Sequence, residues 1–128
     1  MRLLLDTHVL LWALGEPQKL NGDARGLLEE PTNEILFSAA SLWEIAIKAS
    51  RGRIDCRVAP AEILAAARAS GFVELPVLSV AALKVADLPD HHRDPFDRLL
   101  VAQAIAEPAV LLTSDAQLAA YSDLVRVI

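Results

Sequence analysis

Acidic residues at four places in the chain are the candidates for chemistry. They are Asp6, Glu44, Asp97 and Asp115. Asp6 directly follows an apolar run, and Asp115 comes two residues after Thr113, where another apolar run ends. Aspartate after a strand is a favoured helix N-cap, so capping alone could explain both residues. If the two strands are neighbours, about 4.8 Å apart, both carboxylates also project into one crevice.

Glu44 lies inside a helical pattern rather than at its end. It stands three residues after Ser41 and four before Lys48, so the three form a polar stripe on the helix surface. An exposed Glu-to-Lys pair in this orientation would contribute only about 0.3 kcal/mol. Trp43 and Ile47 flank the stripe, which predicts partial burial, and a buried carboxylate needs a partner or a cation.

The segment from Asp94 to Arg98 has the signature of a helix start. Asp94 is placed to be the N-cap, Pro95 the first helical residue, and Asp97 an acid in the first turn, where the helix dipole favours a negative charge. Capping does not explain the apolar Phe96 beside Asp97. An acid in apolar surroundings at a helix N-terminus is typical of a metal ligand or an anion site. We therefore interpret Asp97 as functional and Asp94 mainly as a cap.

The other potentially reactive side chains carry weaker signals. His91-His92-Arg93 precedes Asp94 and could be a solvated turn or a rim that contacts phosphate, and His8 could be a packed residue at a helix start. Cys56 is the sole cysteine, which excludes an internal disulfide and a multi-cysteine zinc site and indicates a bystander thiol. The chain has no Gly-rich phosphate loop and no Gly-x-Ser-x-Gly motif.

Five short apolar runs that predict strands must position these side chains. They are residues 2–6, 34–38, 72–75, 109–113 and 124–128. The first run contains three consecutive leucines without polar alternation, which is typical of a strand covered on both faces in a parallel sheet.

Helical patterns with recognisable ends separate the strands. Asn21 can cap a helix that Pro31 stops, Ser38 or Ser41 can open the helix that carries Glu44, and Gly52 lies past its end. Three further helices are predicted to begin near Pro60, Ser79 and Asp94, with Gly71 ending the first of these and Ala82, Leu83 and Ala86 on the apolar face of the second. Strands that alternate with helices predict an α/β fold, a three-layer sandwich around a mostly parallel sheet. Ligands bind such sheets beyond the carboxyl ends of the strands, where the strand order reverses.

Composition sets limits on the class of protein. The chain has 128 residues, of which 54% are hydrophobic, and its formal charge is −5. It is expected to form a single domain over residues 1–128. No apolar stretch is long enough for a membrane span, and Asp6 interrupts the N-terminal run before a secretory core is complete, so we expect a cytosolic protein. The excess of acid also counts against DNA coating driven by charge.

Four motifs together resemble the PIN-domain ribonucleases, and most closely the VapC type, the toxin half of a toxin-antitoxin pair. The motifs are Leu4-Leu5-Asp6-Thr7-His8, Trp43-Glu44-Ile45-Ala46-Ile47-Lys48, Asp94-Pro95-Phe96-Asp97-Arg98-Leu99-Leu100-Val101-Ala102-Gln103-Ala104 and Leu112-Thr113-Ser114-Asp115. They occur in the family's order, and the match runs from Arg2 to the C-terminus.

The resemblance implies a four-acid site that binds Mg²⁺ or Mn²⁺ and hydrolyses RNA. Asp6, Glu44, Asp97 and Asp115 match the family's acidic positions, with Asp6, Asp97 and Asp115 as metal ligands and Glu44 positioning or deprotonating water. The hydroxyls of Thr7 and Ser114, next to Asp6 and Asp115, would hold carboxylates or water. Asp94 matches a position that is frequently acidic in the subgroup.

Further expectations concern substrate and partners. Basic residues at the rim would contact RNA; the candidates are Lys48, Arg51, Arg53, Arg57, Arg93 and Arg98. An ordinary solvated helix end explains the first four equally well. The family resemblance also implies a homodimer and a cognate antitoxin that inserts a segment into the acidic groove. The partly apolar segment Leu10 to Leu14 could supply contacts for these partners or belong to the core.

Two other functions compete with the nuclease. A non-catalytic module could keep the acids for metal-dependent binding of RNA or a partner, and only a cleavage assay separates this alternative. A phosphoacceptor receiver domain also gathers acids at strand ends. It usually has an acid pair after the first strand and a lysine after the last, whereas here Thr7 follows Asp6 and Lys84 is the last lysine.

Overall fold

Five parallel strands form one sheet at the centre of the molecule. The computed structural model describes residues 1–51 and 59–128. The strands are β1 (Arg2–Leu5), β2 (Glu34–Ser38), β3 (Val73–Leu75), β4 (Val110–Thr113) and β5 (Val125–Val127). Their order across the sheet is β3-β2-β1-β4-β5, and each neighbouring pair is parallel. The predicted strands are confirmed, with ends that shift by one residue at four of them.

In the described part of the chain, six α-helices connect and cover the strands. They are α1 (Thr7–Gly15), α2 (Gly22–Glu29), α3 (Ala39–Ser50), α4 (Pro60–Ala69), α5 (Ser79–Lys84) and α6 (Pro95–Ala106). Short 3₁₀ turns occur at Pro17–Lys19, Val85–Asp87 and Ala116–Ala120. No helix among the described residues is long and apolar enough to cross a membrane.

The two faces of the sheet carry separate apolar clusters, as a three-layer sandwich requires. Alternate residues of β1 show this division, because Leu3 and Leu5 pack on one face and Leu4 on the other. The first face packs against residues of α1 to α4, among them Val9 and Ile45, and the second against α6. The continuous apolar run of β1 is thereby explained by burial on both sides, and the predicted α/β sandwich is confirmed.

Most predicted helix ends are also present. The side chains of Asn21, Ser38 and Asp94 cap α2, α3 and α6 by accepting backbone N–H bonds, so Ser38 and not Ser41 opens the third helix. Gly71 follows α4 with a φ of 81°, a conformation that favours glycine. Gly52, Arg53, Cys56 and Arg57 lie outside the described residues.

Two packing predictions were wrong. In α5 the buried residue is Ala81, whereas Ala82, Leu83 and Ala86 are exposed, Leu83 to 73%. A helix of six residues buries only a single turn, so its apolar residues outnumber the positions that reach the core. His8 is exposed rather than packed, because it lies on the outer surface of α1 while Thr7 and Val9 are buried.

Candidate active site

The four acids meet at the carboxyl end of the sheet. β1 pairs with β2 on one side and β4 on the other, so the strand order reverses between β1 and β4. The backbone N–H of Asp6 donates to the Leu112 carbonyl at 3.0 Å, which joins the ends of these two strands. Strands one and four are neighbours, so the condition under which Asp6 and Asp115 would share a crevice is met, and the crevice lies where α/β sheets bind ligands.

Asp6 is buried and held on both carboxylate oxygens. Oδ1 accepts the Val9 N–H at 2.8 Å, which makes Asp6 the N-cap of α1, and Oδ2 accepts the Thr113 hydroxyl at 2.5 Å. Burial raises the pKa of Asp6 above its ordinary value, although these two hydrogen bonds act in the opposite direction. The negative charge of Glu44 adds to the rise. Asp6 therefore combines the capping role and the crevice position that the sequence left open.

Glu44 is buried, with 2% of its surface exposed, so the exposed pair considered for it is wrong. Its Oε1 accepts the Thr7 hydroxyl at 2.6 Å, and Thr7 also contacts the Ser41 hydroxyl at 3.0 Å. Lys48 Nζ pairs with Glu44 Oε2 and lies 3.9 Å from Asp94 Oδ2. Partial burial on its own would lower the pKa of Lys48, but the bond to Glu44 and the nearby carboxylates raise it. The polar stripe is therefore a largely buried network in which Lys48 carries the positive charge.

Asp97 is near enough to several charged side chains of the site for their charges to shift its pKa. Desolvation raises its pKa to about 7, and the negative charges of Asp94, Asp6 and Glu44 contribute to the rise. The backbone N–H of Asp97 donates to Asp94 Oδ1 at 3.2 Å, as does that of Phe96 at 2.8 Å, which confirms Asp94 as the cap. Phe96 packs edge-on against Trp43, with ring centroids 5.1 Å apart, which explains the apolar residues around Asp97.

Asp115 brings a histidine into the site that the sequence did not single out. Asp115 Oδ1 caps the 3₁₀ turn by accepting the Gln117 N–H, while Oδ2 lies 2.8 Å from His92 Nε2. The same nitrogen is 3.7 Å from Asp97 Oδ2. Ligand atoms of His92, Asp97 and Asp115 all lie within 4.8 Å of one another. From the sequence, His91-His92-Arg93 could be a solvated turn or a rim that contacts phosphate, and only the long-range contact to Asp115 distinguishes His92.

The expectation that the hydroxyls of Thr7 and Ser114 hold carboxylates or water is met in part. Thr7 does hold a carboxylate, that of Glu44. The hydroxyl bound to Asp6 belongs to Thr113, the last residue of β4, whereas the neighbouring Ser114 is exposed. Thr113 is fully buried at the end of β4 and faces Asp6, whereas Ser114 lies just past the strand end and is exposed.

Arg98, a predicted rim contact for RNA, has a structural task in the folded chain. Its guanidinium donates to the carbonyls of Val85, Leu88 and Pro89 at 2.9–3.4 Å, and to the Tyr121 hydroxyl at 3.1 Å. These bonds secure the loop that leads to His92. Arg51 and Arg93 are exposed.

The arrangement suits a hard divalent cation. The donor set consists of carboxylate oxygens, some fixed by hydroxyls and backbone N–H groups, as Mg²⁺ and similar ions prefer. Burial and, after it, the negative charges of Asp94, Asp6 and Glu44 raise the pKa of Asp97, and a bound cation would offset the repulsion between these carboxylates. Asp6 and Glu44 form the buried half of the site, Asp115 and His92 the half-buried half, and Asp97 interacts with both.

A family model for the PIN domain matches residues 3–124. The chain belongs to the PIN domain family. Among curated relatives of this PIN domain, Ribonuclease VapC22 of Mycobacterium tuberculosis is 33% identical over 120 residues, which cover 91% of this chain and 88% of that protein. The family resemblance inferred from the four motifs is confirmed.

Solved structures agree with the PIN fold. A crystal structure of VapBC2 from Rickettsia felis, bound to a DNA fragment from their promoter, aligns with a TM-score of 0.74 at 17% identity and covers 100% of this chain and 99% of the matched chain. A DNA-bound VapBC structure from Salmonella typhimurium aligns with a TM-score of 0.68 at 16% identity and covers 100% and 97%. At these identities the likeness concerns the fold.

Proposed function

We propose that this PIN domain is a metal-dependent endoribonuclease of the VapC type, the toxin of a toxin-antitoxin pair. The observation that carries the proposal is the convergence of Asp6, Glu44 and Asp97, whose charges act on one another at the strand-order reversal. The relative at 33% identity is named a ribonuclease, which supports RNA as the substrate.

In this proposal Asp6, Asp97 and Asp115 hold Mg²⁺ or Mn²⁺, and Glu44 positions or deprotonates the attacking water. A divalent cation in such a site lowers the pKa of water and offsets charge that builds up on a phosphodiester. The protein keeps the acids in place beforehand. Thr113 and the Val9 N–H orient Asp6, while Thr7 and Lys48 restrain the two oxygens of Glu44.

The partners follow from the relatives. The two structural neighbours are VapBC complexes bound to DNA, which supports an antitoxin as the partner of this chain. The relative named a ribonuclease supports RNA as its target, and we propose that the chain acts on RNA in the cytosol. We also propose a homodimer, as the family resemblance implies. Light scattering of the purified chain should then give twice the chain mass of 13.8 kDa.

Replacement of Asp6 by asparagine tests the nuclease. Asn keeps an oxygen that can accept the Val9 N–H, so α1 should remain capped, but the ligand loses its charge. Because changes to groups that only support metal ligands cost about 10–100-fold, loss of a ligand should reduce Mg²⁺-dependent cleavage by more than about 100-fold. Cleavage of single-stranded RNA is followed on gels with Mg²⁺ and with EDTA, and circular dichroism reports on the fold.

Asp23→Asn is the matched control, since Asp23 is an exposed carboxylate on α2 that pairs with Arg126. It should cleave like wild type. A folded Asp6→Asn variant with wild-type activity would remove the site assignment. RNA binding without cleavage by the wild-type chain would instead favour the non-catalytic module.

The toxin role has a separate test in the genome. A small reading frame that abuts or overlaps this one upstream should encode the antitoxin, and co-expression of the two should give a complex that suppresses cleavage. A cleaving enzyme without such a neighbour would remain a nuclease but not a toxin of this type.

A further inference from the structure

His92 makes a set of contacts that the proposed function does not use. It lies in the loop before α6, its side chain is only 15% exposed, and its ring reaches two of the acids. A solvated turn does not require such burial. The contacts of each nitrogen define what the ring can do.

The backbone of Asp94 determines which ring nitrogen carries hydrogen. The Asp94 N–H donates to His92 Nδ1 at 3.0 Å, and a backbone N–H can only donate. Nδ1 therefore carries no hydrogen and acts as an acceptor. The ring hydrogen must lie on Nε2, so the 2.8 Å contact with Asp115 Oδ2 is a hydrogen bond donated by His92.

This tautomer makes His92 unsuitable as a direct metal ligand. Coordination through Nε2 would require the hydrogen to move to Nδ1, where it would face the Asp94 N–H. Donation to a carboxylate is the alternative for a histidine beside a metal site. Groups that hydrogen-bond to ligating carboxylates orient them and tune the site.

The main chain of His92 is held as firmly as its ring. Its N–H donates to the Tyr121 hydroxyl at 2.8 Å, and the same hydroxyl accepts a bond from Arg98 at 3.1 Å. Asp115 itself is held at Oδ1 by the Gln117 N–H, so His92 fixes its second oxygen. Each carboxylate oxygen can accept about two bonds, which leaves Asp115 Oδ2 free to bind a cation as well.

We propose that His92 is a positioning residue of the active site. By donating Nε2–H to Asp115 Oδ2, it keeps that oxygen close enough to Asp97 for both carboxylates to share one cation. Ligand oxygens of Asp97 and Asp115 lie within 4.8 Å of each other, so one cation can contact both at the usual cation-to-oxygen distances of about 2.0–2.6 Å. The inference rests on the proposed metal-dependent nuclease.

The test compares Mn²⁺ binding by calorimetry in the wild type, His92→Ala and His92→Gln. Removing the donor should weaken Mn²⁺ binding by about 10–100-fold, the usual cost of losing a group that supports a ligand. Glutamine has an amide N–H that can reach a neighbouring carboxylate, so His92→Gln should recover most of the affinity. His91→Gln is the matched control, because His91 is an exposed neighbour that packs edge-on against Tyr121 and lies outside the acid cluster.

A second measurement does not depend on folding of the variants. Long-range ¹H–¹⁵N NMR of the metal-free wild-type protein should find hydrogen on Nε2 of His92 and none on Nδ1. Hydrogen on Nδ1 would overturn the inference. Electron spin-echo spectra of the Mn²⁺-loaded wild type should lack a directly bound histidine nitrogen, and a bound nitrogen would overturn it too.

Two outcomes separate this inference from the proposed function. If wild type cleaves RNA with Mg²⁺ but His92→Ala binds Mn²⁺ as tightly as wild type or more tightly, only the role of His92 is wrong. If wild type neither binds Mn²⁺ nor cleaves RNA, the proposed function itself fails. In the expected case His92→Ala lowers kcat at saturating RNA and recovers activity at higher Mn²⁺ concentration.

Discussion

Asp97 is the residue of the site whose pKa is raised into the physiological range. Its ordinary pKa of 3.8 rises to about 7, first because burial disfavours the charged form and then because Asp94, Asp6 and Glu44 repel it. An acid with a raised pKa keeps its proton in the folded protein at pH values where the unfolded chain has released it. Between about pH 4 and 7 the folded state thus binds the extra proton, and stability falls as pH rises through this range.

We therefore expect the metal-free protein to be less stable near pH 8 than near pH 5. The full shift corresponds to about 4 kcal/mol, and contact of Asp97 with solvent reduces the expected difference to about 1–3 kcal/mol. Urea unfolding in EDTA at the two pH values measures the difference. Asp97→Asn should remove most of it, and an unchanged pH dependence in that variant would assign the effect to other groups.

Metal addition should act in the opposite direction. At about 100 times the dissociation constant, a cation stabilises the folded state by about 2.7 kcal/mol. The gain should be larger near pH 8 than near pH 5, because a protonated Asp97 competes with the ion. Thermal melts with Mg²⁺ and with EDTA at both pH values check this, and an equal gain at both would contradict the role of Asp97 as a ligand.

At the scale of elements, one arginine organises the loop between α5 and α6. Arg98, in the first turn of α6, reaches back to three carbonyls of residues 85–89 and to Tyr121 after the last 3₁₀ turn. Its guanidinium also lies 6.0 Å from the centre of the Tyr121 ring. The loop that carries His92 is therefore tied to α6 and to the segment after β4 at once.

Arg98→Lys should weaken this tie although the charge is kept. Lysine cannot donate to several carbonyls in a planar fork, so we expect a loss of about 1–3 kcal/mol in the free energy of unfolding. Hydrogen exchange should accelerate at the amides of residues 85–92, including the His92 amide. Arg93→Gln is the control, since Arg93 is exposed and should change stability by less than about 0.5 kcal/mol. Equal exchange in both variants would contradict the role of Arg98.

At the scale of the whole molecule, the net charge of −5 opposes binding of RNA, but four of the negative charges belong to the proposed site. Removing four from −5 leaves −1. The repulsion that RNA meets is thus concentrated at Asp6, Glu44, Asp97 and Asp115, and each divalent cation bound there would offset two of these four charges. We expect RNA binding to require a divalent ion beyond its general contribution to ionic strength.

Fluorescence anisotropy of a labelled single-stranded RNA tests this expectation. Binding is measured with Ca²⁺ and with EDTA at matched ionic strength, and gels check that the RNA stays intact during the measurement. The double variant Asp97→Asn/Asp115→Asn should bind RNA more tightly than wild type in EDTA, because two repelling charges are gone. Asp23→Asn/Asp123→Asn removes the same number of exposed charges elsewhere and is the control. Equal binding by all three proteins in EDTA would show that local charge does not limit RNA binding.

Much of this molecule follows from short-range sequence patterns. The unbroken leucines of β1, the caps at Asn21, Ser38 and Asp94, and the alternation of strands and helices are local, and each acts through the backbone within a few residues. The sequence also implied that Asp6 and Asp115 would meet if strands one and four were neighbours, and the tertiary structure supplied that strand order.

Contacts between distant segments were decided only by the tertiary structure. His92 and Asp115 are 23 residues apart, and Thr113 and Asp6 are 107 apart, so neither pair leaves a local periodic signal. From the sequence, Arg98 was a candidate rim cation, because its long flexible side chain can reach either solvent or backbone carbonyls. In the folded chain its packing directs the guanidinium to backbone carbonyls. Residue types alone thus indicate which acids could bind a cation, whereas the groups that orient those acids depend on how the loops pack beside the sheet.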